Sequence, residues 1–132
     1  MIGIDTNVLV RYIVQDDSRQ SALATGLLER TLSTKLPGFV SAIVLCELVW
    51  VLESAYGYSR EQVGETLQRV FEVDRLRLQA PALAWRALDA YRDGVDFSDA
   101  LIGLVGEQAG CEYTVSFDRR AARLGQVRLL SR

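Results

Sequence analysis

Short apolar runs, separated by longer stretches of helical periodicity, limit what this chain can fold into. Met1 to Asp5, Phe39-Val40, Leu76 to Leu78, Tyr113 to Asp118 and Val127 to Leu130 each read as a strand. Between them, apolar residues recur at three and four positions, the period of a helix with one buried face. Strands alternating with helices imply an α/β layer fold with a mainly parallel sheet. No repeat, linker or low-complexity segment interrupts the 132 residues, so residues 1–132 are expected to form a single domain.

Local signals place the helices. Asp5-Thr6-Asn7 caps a first helix carrying Val8, Leu9, Tyr12 and Ile13. A second follows Asp17-Ser18, with Ala22, Leu23, Leu27, Leu28 and Leu32 expected on its inner face. Ser41 to Tyr56 reads as a long apolar helix ended by Gly57, and Ser59-Arg60-Glu61-Gln62 is a capping-box pattern opening the next. Ala80 to Tyr91 carries the stripe Leu83, Ala84, Ala87, Leu88 and Tyr91. Asp96-Phe97-Ser98-Asp99 opens a helix that Gly110 ends, and a short helix precedes the last strand.

The chain has no histidine, which excludes Ser-His-Asp and Cys-His nucleophiles, paired-histidine nucleases and histidine-bound zinc. Lys35 is the one lysine and lies in a polar turn, so lysine-based catalysis has no good candidate. Chemistry at neutral pH therefore falls to carboxylates, a metal or an activated hydroxyl. The N-terminus lacks the pattern of a signal peptide, and Ala42 to Leu52 is too short to span a bilayer, so a cytoplasmic protein with no membrane partner is expected. With a net charge of −2, any binding of nucleic acid needs local neutralising groups.

Asp5 and Asp118 each close an expected strand, and the carboxyl ends of parallel strands are where open α/β sheets bind ligands. Each also suits the N-cap of the next helix. As a pair they are expected to face one crevice. Glu47 has Ile43, Val44, Trp50 and Val51 as helical neighbours, so it projects from a mostly apolar face. A carboxylate there needs hydrogen bonds or a cation, the latter a metal ion or one of the fourteen arginines. Asp96 and Asp99 suit the cap and the first-turn acid of their helix, and Asp99 is the better ligand candidate. Asp5, Glu47, Asp99 and Asp118 make an oxygen-only set suited to Mg²⁺ or Mn²⁺ and to phosphodiester hydrolysis. Trp50 and Trp85 read as core or interface residues. Arg119, Arg120 and Arg123, directly after Asp118, read as surface residues, with contact to a phosphate as the alternative.

These residues resemble the PIN-domain family, and within it the VapC-type toxins of bacterial toxin–antitoxin pairs. The resemblance rests on Ile4-Asp5-Thr6-Asn7-Val8-Leu9, Ser41 with Glu47, Asp96-Phe97-Ser98-Asp99-Ala100-Leu101 and Ser116-Phe117-Asp118, in family order over nearly the whole chain. It implies a three-layer fold with a central sheet flanked by helices. It further implies a metal-dependent ribonuclease whose Mg²⁺ or Mn²⁺ ligands are Asp5, Glu47, Asp99 and Asp118. Asp96 would be an auxiliary acid or a cap, with Thr6, Asn7 and Ser116 in support; Ser116 stands where family members commonly carry threonine. RNA as substrate, a homodimer and a cognate antitoxin are the implied partners. The alternative is a catalytically silent PIN-like module that binds RNA or protein.

Overall fold

The computed structural model describes residues 1–131, and the chain clusters into two compact units, Met1–Pro81 and Ala82–Arg132. In the first unit β1 (Ile2–Gly3), β2 (Gly38–Val40) and β3 (Leu76–Leu78) pair in that order, parallel throughout. Ile2 N–H donates to Pro37 O and Ile4 N–H to Phe39 O, both at 2.9 Å, so the ladder reaches the residue before Asp5. Gly38 sits where a Cβ would come within 2.9 Å of Ile4 Cγ1 and Leu32 Cδ1 and 3.0 Å of Leu76 Cδ2. A larger residue at that strand position would have to displace three core side chains together.

Between β1 and β2 run α1 (Thr6–Val14) and α2 (Ser18–Gly26), the latter continuing as a π-helical turn at Leu27–Thr31. Asp17 opens α2 by accepting from Gln20 N–H at 2.8 Å. The inner face of α2 differs from expectation: Ser21, Ala24, Leu28 and Leu32 are buried, whereas Leu23 is 65 % exposed. Close packing of α1 on α2 takes the small side chains of Ser21 and Ala24, which leaves Leu23 outside.

Between β2 and β3 run α3 (Ala42–Ser54) and α4 (Arg60–Glu72). Ser41 Oγ accepts from Val44 N–H, and Ser59 and Gln62 form the expected reciprocal capping box. The chain between the helices turns at Gly57, whose φ of 65° favours glycine. Leu45, Leu48 and Leu52 of α3 are fully buried, as are Val63 and Leu67 of α4.

Next comes α5 (Pro81–Arg92), which lies in the second unit from Ala82 onward and whose proline suits a first helical position. Its buried stripe is Leu83, Ala84, Ala87, Leu88 and Tyr91, as periodicity implies. Then come α6 (Phe97–Gln108), β4 (Thr114–Ser116) and β5 (Val127–Leu129), the two strands pairing in parallel. The fourth strand is shorter than expected, because Asp118 N–H turns to Ser116 Oγ at 2.9 Å. The short helix expected before β5 is a single 3₁₀ turn at Ala121–Arg123. Every strand pairing among the described residues is parallel and helices flank both ladders, which is the α/β class expected. No helix among them is long and apolar enough to cross a membrane.

Candidate functional site

The first unit holds Asp5, Thr6, Asn7 and Glu47 on one groove of about 390 Å³. Asp5 follows the β1 ladder and caps α1, its Oδ1 accepting from Thr6 N–H at 2.7 Å. Thr6 is buried, and its hydroxyl donates to Glu47 Oε1 at 2.7 Å. One threonine therefore links both acids, through its backbone and through its side chain. A larger groove of about 570 Å³, lined in part by Tyr12, Leu28, Val70 and Leu76, contains none of the candidate acids.

Glu47 corrects one expectation. It is exposed, and so are Ile43 and Trp50 beside it, at 73 % and 68 %. The buried face of α3 is instead Val44, Leu45, Leu48, Val49 and Leu52. Ser41–Ser54 is apolar nearly all round, so composition alone does not reveal which side meets water. Glu47 needs no cation to offset burial, and the Thr6 hydroxyl is what orients it.

Arg11 and Tyr56 line the same groove and join Asp16 in a cluster that sequence reasoning missed. Arg11 Nη1 contacts Asp16 Oδ1 at 3.1 Å and the Tyr56 hydroxyl at 3.2 Å, and Tyr56 donates to Asp16 Oδ2 at 2.7 Å. The Tyr56 hydrogen bond, with help from Arg11, holds the Asp16 carboxyl below its ordinary range. In sequence Asp16 suits a plain turn, and Tyr56 lies forty residues further on, so no local pattern points to the pair.

The second unit carries the other acids. Asp96 caps α6 by accepting from Asp99 N–H at 3.1 Å, so its role as a cap is real. Asp99 is half-buried; desolvation, then the charges of Asp96 and Asp118, push its carboxyl above the ordinary value. Asp118 lies just past β4, and its Oδ1 accepts from Arg120 N–H at 2.8 Å. Ser116 Oγ takes the Asp118 N–H, so the hydroxyl expected to support the site shapes the turn that presents Asp118.

Among the described residues, no three potential ligands stand close enough to hold an ion as a ready cage. The chemistry of the donors nevertheless fits a hard divalent cation. All are carboxylate oxygens, Glu47 is fixed by a hydroxyl, and Asp99 faces like charges that a cation would offset.

The family model described as PIN domain matches residues 2–127, a span that takes in most of both units. The chain is also similar to a protein of Aquifex aeolicus (strain VF5) called VapC ribonuclease. The two are 27 % identical over 125 residues, 92 % of this chain and 90 % of the relative.

Proposed function

The chain belongs to the PIN-domain family, and from that premise we propose that it is a Mg²⁺- or Mn²⁺-dependent ribonuclease, the toxin of a VapBC-type toxin–antitoxin pair. Asp5, Glu47, Asp99 and Asp118 are its acidic ligands in this reading, and residues 1–132 act as one PIN domain. The observation that carries it is Thr6, which donates its N–H to Asp5 Oδ1 and its hydroxyl to Glu47 Oε1, and so fixes two carboxylates on one groove. Carboxylates fixed together favour a cation beside them.

A divalent cation held by these acids would supply an activated water and offset charge on the phosphodiester. The residues of the chain do the positioning. Thr6 holds Glu47 Oε1 with its hydroxyl and Asp5 Oδ1 with its backbone, so neither acid must be ordered when substrate arrives. Ser116 fixes the turn that carries Asp118. Asn7, on the same groove, supports the site. Asp96 remains a cap and acts as an auxiliary acid through its field on Asp99.

A homodimer and a cognate antitoxin complete the reading, in the cytoplasm where RNA is available. The exposed Ile43 and Trp50 on α3 support a surface covered by another chain. The deciding experiment incubates purified protein with total RNA in Mg²⁺, in EDTA and after metal is restored. Cleavage should appear, stop and return. Undiminished cleavage in EDTA would remove the metal from the mechanism, and no cleavage in either metal would leave the silent binding module.

A further inference from the structure

Phe117 stands directly before Asp118 with 80 % of its surface exposed, more than any other large hydrophobic side chain among the described residues. Val115 in β4 is exposed, and so are Tyr113 before the strand and Phe117 after it. Arg128 pairs opposite Val115, and its guanidinium lies over the Tyr113 ring, 4.1 Å from the centroid. The backbone presenting Phe117 is held on both sides: Asp118 N–H by Ser116 Oγ, and Arg120 N–H by Asp118 Oδ1.

The charge here runs against that of the whole chain. Between Tyr113 and Leu130, Arg119, Arg120, Arg123 and Arg128 face a single acid, Asp118, in a chain of net charge −2. All four arginines are exposed, and none makes an ion pair among the described residues. A second copy is a poor occupant. A two-fold contact sets the same patch against itself, and would bring two groups of unpaired arginines together. Single-stranded nucleic acid offers what this surface lacks: phosphates for the arginines and an unstacked base for the ring.

We propose that Phe117 is a stacking platform for one nucleobase of single-stranded RNA, with Arg119 and Arg120 taking the adjoining phosphates. This rests on the ribonuclease reading and adds to it a base-binding position beside Asp118. Stacking on an aromatic ring accepts any base, so the platform sets where the strand lies rather than which sequence is cut.

The test uses Asp99→Asn protein, to prevent cleavage, and a fluorescein-labelled single-stranded RNA 12-mer read by anisotropy. Phe117→Ala should weaken binding by about 5- to 100-fold, the range that loss of one stacked base produces. Phe117→Trp should bind at least as well as Phe117, while Phe117→Leu should resemble alanine, because leucine keeps apolar area but has no π-face. Arg119→Ala and Arg120→Ala should each reduce the slope of log affinity against log salt by about 1. Binding by Phe117→Ala or Phe117→Leu that equals the parent, with unchanged circular dichroism, overturns the proposal. So does a Phe117→Ala protein that light scattering shows has turned from dimer to monomer at unaltered RNA affinity. A parallel cleavage assay on otherwise wild-type protein separates the two readings. Cleavage indifferent to Phe117 removes the platform and leaves the nuclease; Phe117-dependent binding without cleavage does the reverse.

Discussion

The buried Thr6 hydroxyl donates to Glu47 Oε1 at 2.7 Å, joining the start of α1 to the middle of α3 across 41 residues of sequence. Thr6→Val keeps the shape and removes the donor, so Glu47 is freed to rotate. Hydrogen bonds to charged groups contribute about 1.5–3 kcal/mol. RNA cleavage should fall roughly 10- to 100-fold, and Thr6→Ser should restore most of it. Initial rates across a Mg²⁺ titration check this; a Thr6→Val enzyme as fast as wild type would show that Glu47 needs no support.

Asp5→Asn and Asp118→Asn retain the side-chain oxygens that accept from Thr6 N–H and Arg120 N–H, and so retain both caps. What they lose is charge. Each should lower cleavage by more than about 100-fold, beyond the 10- to 100-fold typical when only the support of a ligand is lost. Circular dichroism and melting temperature should stay close to wild type. A variant that unfolds instead would place the residue in the fold rather than the chemistry.

Asp99 makes stability depend on pH in a definite direction. Its folded pKa lies above the ordinary 3.8, so the folded state binds the proton more tightly than the unfolded chain. That advantage is fully present below 3.8 and is lost as pH rises through the folded value. At neutral pH the ionised Asp99 therefore destabilises the metal-free protein. Asp99→Asn in EDTA should melt higher than wild type at pH 7, with the gain fading as the buffer is taken below pH 4 (roughly the ordinary carboxylate value). Equal melting temperatures at both pH values would show that neither burial nor the charges of Asp96 and Asp118 disfavour the ionised form.

Gly38→Ala tests the packing around β2. The new Cβ would meet Ile4, Leu32 and Leu76 at 2.9–3.0 Å. Overpacking a filled core typically costs about 1–3 kcal/mol, and urea unfolding should report a loss in that range. A neutral result would mean that the three side chains repack freely.

Some of this was legible in residue order and some was not. Capping signals worked where they are local: Ser59 with Gln62, Asp96 before α6, and Asp5 between a strand and a helix. The stripe of α5 emerged whole, because its other positions are polar enough to define a face. In α3 that contrast is missing, so Glu47 stands out as an odd acid in an apolar run, but for a burial it does not have. The Thr6–Glu47 and Arg11–Tyr56 contacts span 41 and 45 residues, and nothing in either segment alone encodes its partner. Ser116 is singled out by its hydroxyl, and only the folded chain shows that hydroxyl receiving the Asp118 N–H and ending the strand.

The parallel ladder also dictates an order of assembly during translation. β1 has no strand partner until Pro37 to Phe39 have been made, since Ile2 and Ile4 donate to the Pro37 and Phe39 carbonyls. Thr6 then waits for Glu47, and β4 for Val127, beyond the turn that carries Asp118. At the usual synthesis rate of about 5–20 residues per second, several seconds separate the first acid from the last. On the proposed reading, the set of acids stays incomplete until the turn that carries Asp118 has been made.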